Sequence, residues 1–146
     1  MDLIRNPFLI AFVIAWLSAQ FLKVITHAIA YKELDLKRFF GDGGMPSAHT
    51  ATVSSLATFA GISYGLASFE FAVCFILALI VCRDAVGVRM ETGKQALIIN
   101  ELRSLIESKE TVEIKLKEFV GHTPLQVVMG AILGISVAII VNLILR

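Results

Sequence analysis

The chain has 146 residues, 57% of them hydrophobic, and a mean hydropathy of +0.81. That apolar excess sets it apart from ordinary soluble domains and points to an integral membrane protein. The formal net charge of +1 gives no sign of acidic partners, and no nucleic-acid partner is expected. Cys74 and Cys82 are the only cysteines. On one helix they would stand about 12 Å apart, too far for a disulfide, so both are read as small buried hydrophobes without a redox role.

Residues 1–6 form a short polar start. From Pro7 to Ala30 the chain is apolar except for Gln20, Lys23, Thr26 and His27. This run is too long for a signal peptide and lacks a small-residue cleavage site before the charged stretch, so 7–30 is expected to be a first span. Tyr31 to Asp42 is charged and reads as a loop or short interfacial helix. Gly43 to Phe69 contains no Asp, Glu, Lys or Arg. A bilayer core needs about 20 helical residues, which predicts a second span over 46–66 with Pro46 in its first turn. Its Gly61-x-x-x-Gly65 spacing suits close helix approach.

A neutral turn, Gly65 to Ser68, leads to a third span over 69–90. Its uncharged part, Phe71 to Cys82, is short, so Arg83, Asp84 and Arg89 fall near the membrane boundary. Residues 91–118 are the most polar. Ala96, Ile99, Leu102, Leu105 and Ile106 recur at helical spacing there, which predicts an interfacial amphipathic helix over 94–107. Val112, Ile114 and Leu116 alternate instead and leave that segment unassigned. A fourth span over 124–145 follows Gly121-His122-Thr123-Pro124 and carries Gly130-x-x-x-Gly134, a second close-packing signature.

Four spans sort the polar residues onto one side. Lys23, His27, the Gly43–His49 stretch, Arg83, Asp84, Arg89, the polar segment and His122 all share the face where the first span ends. Every Lys and Arg except Arg5 and Arg146 lies there too, which by the positive-inside rule makes that face cytoplasmic. The expected fold is all-α: an integral membrane helical bundle of four transmembrane helices plus an interfacial amphipathic helix. It forms a single membrane domain over residues 1–146.

The chemistry concentrates at Gly43-Gly44-Met45-Pro46-Ser47-Ala48-His49-Thr50. A glycine turn opening a helix is suited to an anion, because free N–H groups and the helix dipole both point at it. Ser47 and Thr50 add hydroxyls, and His49 can move a proton near neutral pH. His122 and Gln126 are four apart at the start of the fourth span, where the amide can orient the imidazole. Lys23 shares a helix face with His27, and Asp84 with Arg89 is expected to pair and face the bundle interior. Two histidines among cations suggest phosphoryl transfer, one attacking phosphorus and the other protonating the leaving oxygen. A metal set of His27, His49, His122 and Asp84 lacks ligand spacing.

These blocks resemble the type 2 phosphatidic acid phosphatase superfamily, which includes bacterial acid phosphatases and vanadium haloperoxidases. The closest likeness is to its divergent membrane branch. It rests on Ala19-Gln20 with Lys23, on Gly43 to His49, on Asp84-Ala85-Val86-Gly87-Val88-Arg89, on Gly93-Lys94-Gln95-Ala96, on Asn100 and on Gly121-His122-Thr123-Pro124. The resemblance implies His122 as nucleophile forming a phosphohistidine and His49 as general acid. It also implies phosphate binding by Ser47 and the Gly43–Gly44 turn, with Lys23, Arg89 and Lys94 as cations. No metal or other cofactor is implied. The chain departs from the superfamily pattern in reading P-S-A-H for P-S-G-H, in lacking R-P after Lys23, in having Leu116 six residues before His122, and in placing Gln126 where a carboxylate is usual. Asp84 is the candidate to supply that carboxylate.

The function so implied is hydrolysis of a phosphomonoester or pyrophosphate headgroup on a membrane lipid, in the cell membrane. The alternative is a non-catalytic membrane protein that binds or translocates phosphorylated lipid. The expected partners are the lipid phosphate and the bilayer, with a homo-oligomer left open.

Overall fold

The computed structural model describes residues 5–41, 43–106, 116 and 121–145. Five α-helices follow one another: α1 (Pro7–Tyr31), α2 (Ala48–Tyr64), α3 (Phe69–Val86), α4 (Val88–Ile106) and α5 (Pro124–Leu145), with a short 3₁₀ helix at Leu36–Phe40. No strand occurs among the described residues. Each start has a local cause. Asn6 accepts from the Phe8 N–H and Pro7 opens α1 with its fixed φ. Ser47 caps α2, accepting the Thr50 N–H at 3.3 Å, and Ser68 caps α3, accepting the Phe71 N–H at 3.1 Å.

α2 is the centre of the bundle and packs against α1, α3 and α5. Phe8 at the start of α1 stacks with Tyr64 and meets Phe59 edge-on near the end of α2, so these two helices run antiparallel. α3 returns beside α2. At the opposite end, the Ser47 N–H donates to the Gln126 carbonyl at 3.0 Å and the His122 N–H donates to the Ala85 carbonyl at 3.0 Å. The end of α1, the start of α2, the end of α3 and the start of α5 therefore meet at one end of the molecule.

The interior is small and the exterior large. Ala11, Ala15 and Ala19 form an i, i+4 stripe on α1, and the largest fully buried side chains are Thr50, Ser47 and Ser55. The outer faces carry exposed Leu, Ile, Val and Phe on α1, α3 and α5. This is the arrangement of a bilayer protein. Lipid is as apolar as leucine, so helices associate through small residues that allow close van der Waals contact. α1, the nearly continuous α3–α4 helix and α5 are long and apolar enough to cross a membrane. α2 has 17 residues, about 25 Å of helix.

The contact between α2 and α5 is the closest in the bundle. A methyl group on Gly130 would come within 2.5 Å of the Ser47 carbonyl oxygen, and one on Gly134 would run into the Ala51 carbonyl. The Gly130-x-x-x-Gly134 signature thus packs as the sequence suggests. The other signature divides: Gly61 faces Phe71 of α3, whereas Gly65 ends α2 with φ +85 and opens the turn to Ser68.

Boundaries shift in three places. Pro46 precedes the α2 cap instead of lying in its first turn, because the Ser47 hydroxyl takes the capping position. The third apolar helix stops at Val86, four residues before the expected end at residue 90, where Gly87 turns the chain. The polar amphipathic helix begins at Val88 instead of residue 94, since nothing after Gly87 interrupts it. Ala96 is buried on α4, but Leu97, Ile98, Ile99 and Leu102 are exposed, as on a helix whose apolar side meets lipid. Residues 112–115 of the alternating segment lie outside the described residues. Leu116 is tied to α4 by a two-point bond between its backbone and the Asn100 side-chain amide.

Gly134→Val is expected to lower the unfolding free energy by about 1–3 kcal/mol, the usual range for overpacking, or to prevent folding. Ile139→Ala, on the lipid-facing side of the same helix, is expected to change it by less than about 0.5 kcal/mol as at other exposed positions. An SDS unfolding titration of detergent-solubilised protein measures both, and equal losses would show that the helix contact is not the sensitive one.

Candidate active site

His122 sits one residue before the α5 capping position and is almost fully buried, at 3% exposure. Two backbone features hold it. Its N–H is bonded to the Ala85 carbonyl at the end of α3. Gly121, at φ +96, lets the chain pass so close to the start of α4 that a Cβ there would lie 2.6 Å from the Arg89 carbonyl carbon. α5 then starts with a capping box: the Thr123 hydroxyl accepts the Gln126 N–H at 3.4 Å while Gln126 Oε1 accepts the Thr123 N–H at 3.0 Å.

That box also defines the imidazole. Gln126 Oε1 lies 3.3 Å from His122 Nδ1. Because the Thr123 N–H requires an acceptor at this position, the amide presents oxygen to the ring, and Nδ1 must carry the proton. The tautomer follows from this geometry, with Nε2 left holding the lone pair. Burial pushes the His122 pKa below the ordinary histidine value. The Gln126 bond opposes that shift, and the charges of Lys23, His49 and Arg89 add to it. A neutral, oriented imidazole at neutral pH is the result.

His49, in the first turn of α2, faces His122 with ring centroids 6.4 Å apart and planes tilted by 54°. The two helix starts that carry these rings are joined by the Ser47–Gln126 backbone bond. A cleft of about 270 Å³ opens here, bordered by Gly43 and Gly44, by Gly93 and Lys94 of α4, and by His122 and Gln126. A second cleft of about 450 Å³ lies between α1, α2 and the 3₁₀ helix, with Lys23 and His49 on its border.

The cations take distinct positions. Lys23 ends the small-residue stripe of α1 and is 3% exposed. Its stem runs past Gly44, and its Nζ donates to the Gly41 carbonyl at 3.1 Å. Arg89 donates from Nε to Asp84 Oδ2 at 2.6 Å. The pair forms as the spacing suggests, but its side chains are 50% and 39% exposed, so it lies at the rim and not in the bundle interior. Asp84 lies in the last turn of α3 and Arg89 in the first turn of α4, on either side of Gly87. Asp84 is thereby engaged by Arg89, and the group that meets His122 Nδ1 is the Gln126 amide. Lys94 borders the first cleft and pairs with Glu91 at 2.7 Å.

Ser47 stands behind the clefts. It is fully buried, its N–H is bonded to Gln126, and its hydroxyl oxygen takes the Thr50 N–H and lies 3.0 Å from the Thr50 hydroxyl. It frames the helix start that presents His49. His27 stacks on Tyr31, with centroids 4.6 Å apart, and Asp84 is held by Arg89. The four-residue metal set therefore does not converge.

Several bordering residues were given no role at the site from sequence. Thr123 was legible as the first member of a T-x-x-Q capping box. Gly93 was legible as a glycine inside a helix, where it is unfavourable without a reason of packing or approach. Met90 and Leu97 carried no signal beyond apolar periodicity.

The bundle defines a multi-pass helical membrane protein. A family profile described as "Divergent PAP2 family" matches residues 4–137, and the chain belongs to that family. It is similar to the uncharacterized membrane protein YuiD of Bacillus subtilis (strain 168), with 37% identity over 152 residues and 96% of each chain covered. No solved structure matches.

The chain contains three histidines, so ring signals from ¹⁵N/¹³C-histidine-labelled protein in micelles are separable. His122 is expected as the Nδ1–H tautomer titrating below about 6.5. Gln126→Glu is expected to raise its pKa by about one unit or more, because a carboxylate stabilises imidazolium. Gln126→Leu is expected to lower it by removing the bond that favours the charged form. Shifts of the same sign in both variants would refute the assigned contact.

Proposed function

We propose that the protein is a membrane lipid-phosphate phosphatase that works through a phosphohistidine. The observation that carries this reading is the pairing of His122 and His49, ring centroids 6.4 Å apart at two joined helix starts, with Lys23 and Arg89 close enough to bias His122 electrostatically. The phosphate sits in the first cleft against the Gly43–Gly44 turn and Lys94. His122 Nε2 attacks phosphorus, the bond to the lipid oxygen breaks, and His49 gives its proton to that oxygen. Water then loses a proton to His49 and attacks phosphorus, the P–N bond breaks, and orthophosphate leaves with His122 neutral again. Lys23, Arg89 and Lys94 offset the charge on the equatorial oxygens. Asp84 acts through Arg89 as a positioning residue.

The Gln126 amide supports the attacking tautomer but carries no charge to stabilise the ring once phosphorylated. That single feature favours a second reading, in which the protein holds or moves phosphorylated lipid without cleaving it. A lipid substrate is the choice because the first cleft, with Lys94 and His122 on its border, belongs to a protein whose outer faces are apolar. The clefts are proposed to face the cytoplasm in the cell membrane, from the concentration of Lys and Arg at this end.

Purified wild type is expected to release phosphate from a panel of lipid phosphates and pyrophosphates, with inhibition by vanadate. His122→Ala is expected to abolish release, and His49→Ala to slow it by about 10²–10⁴, the usual worth of a general acid. Background release by wild type across the panel, with lipid still retained, would leave the binding reading. For sidedness, Lys94→Cys in a Cys74→Ala/Cys82→Ala background is expected to react with an impermeant maleimide only after cells are permeabilised. Labelling of intact cells would place the site on the outer face.

A further inference from the structure

Asn100 has no part in the phosphate chemistry above, yet its side chain holds a distant piece of backbone. Its Nδ2 donates to the Leu116 carbonyl at 2.9 Å, and its Oδ1 accepts the Leu116 N–H at 3.0 Å. One side chain thus engages both backbone polar groups of one residue. An amide carries a donor and an acceptor side by side. At the same size Asp offers acceptors alone and Leu offers neither, so neither can make this contact.

The bond matters because of what α4 carries. Met90, Gly93, Lys94 and Leu97 recur at i, i+3, i+4 and i+7, which is one face of a helix, and all four border the first cleft. Among the described helices α4 packs against α3 alone, which precedes it across Gly87. Its start is also held where Gly121 passes against the Arg89–Met90 backbone. From Met90 the helix runs about 15 Å to Asn100. A wall fixed at its base swings at its far end, and the Leu116 bond fastens it there. The Leu116 side of that bond is itself anchored, because five peptide units from Gly121 reach at most about 17 Å.

We propose that Asn100 is a positioning residue. By gripping the Leu116 backbone it fixes α4 over the first cleft, and so sets Lys94 against the phosphate bound beside His122. The proposal rests on the reading of that cleft as the phosphate site. His122 is held separately, by the Ala85 carbonyl and by Gln126. Loss of the Asn100 bond therefore weakens binding and leaves the attacking ring in place.

The test uses full-length protein in detergent micelles. Spin labels at the exposed positions Gln95→Cys on α4 and Val128→Cys on α5, in the Cys74→Ala/Cys82→Ala background, are expected to give a narrow distance distribution. Asn100→Leu is expected to broaden it, and Asn100→Asp provides a second variant of the same size should the first fold poorly. Retention of a diacylglycerol phosphate by the His122→Ala protein, read by native mass spectrometry, is expected to weaken about tenfold when Asn100→Leu is added, the worth of one bond to a charged group. In turnover KM is expected to rise by the same factor while kcat changes by less than about twofold. Lys94→Ala added to Asn100→Leu is expected to raise KM little further, because both act through one contact. Broadening together with weakened retention upholds the positioning role even if no phosphate is released, in which case only the catalytic reading fails. An unchanged distance distribution, undiminished retention, a loss confined to kcat, or fully additive effects of Lys94→Ala would overturn it.

Discussion

The structure depends on how closely α2 and α5 approach. Gly130 and Gly134 remove the side chains that would hold the helices apart, and the Ser47 and Ala51 carbonyls of α2 occupy that space. The approach brings the Ser47 N–H onto the Gln126 carbonyl, so the two helix starts become one rigid joint. Each start carries a histidine within one turn of the joint. The distance between His49 and His122 is thus set by backbone packing, not by the reach of flexible side chains, which is the support a precise site requires.

The same packing explains the inverted distribution of residue sizes. A bilayer offers no hydrophobic gain for burying leucine between helices, so the interior is filled by Ala, Gly, Ser and Thr, and the large side chains face lipid. The hydroxyls so buried are engaged: Ser47 and Thr50 complete the start of α2, and Ser55 donates to the Ala11 carbonyl at 3.4 Å. Lys23 is the exception to the small stripe of α1. It is held by the Gly41 carbonyl at the edge of the apolar zone, where its charge bears on His122.

Around His122 the electrostatics favour the neutral ring. Burial and three neighbouring positive or protonatable groups disfavour a second proton, and an amide instead of a carboxylate faces Nδ1. Asp84 is the acidic partner of Arg89 and keeps that guanidinium at the rim. The division of labour is clear in geometry. One oxygen of Gln126 both caps α5 and chooses the tautomer of His122, so the start of the helix and the state of the ring are inseparable.

Much of this was legible in the sequence. Long uncharged runs marked the apolar helices, because a bilayer core penalises charge over a fixed length. The alternation of spans put Lys23, His49, Arg89 and His122 at one end, because antiparallel neighbours return polar ends to the same side. Gly130-x-x-x-Gly134 announced a close contact, and Asp84 with Arg89 announced a pair. What the sequence left open was decided by three-dimensional contacts between residues far apart in the chain. Only the folded bundle shows that Gly65 caps a helix while Gly61 packs, and that Ser47 frames the site from behind. Only there does the Asp84–Arg89 pair lie at the rim, and the Gln126 amide become the partner of His122. Composition and periodicity determine which segments enter a membrane, since that depends on each segment alone. Which side chain touches which depends on helix approach and backbone bonds between segments, and that only the tertiary structure decides.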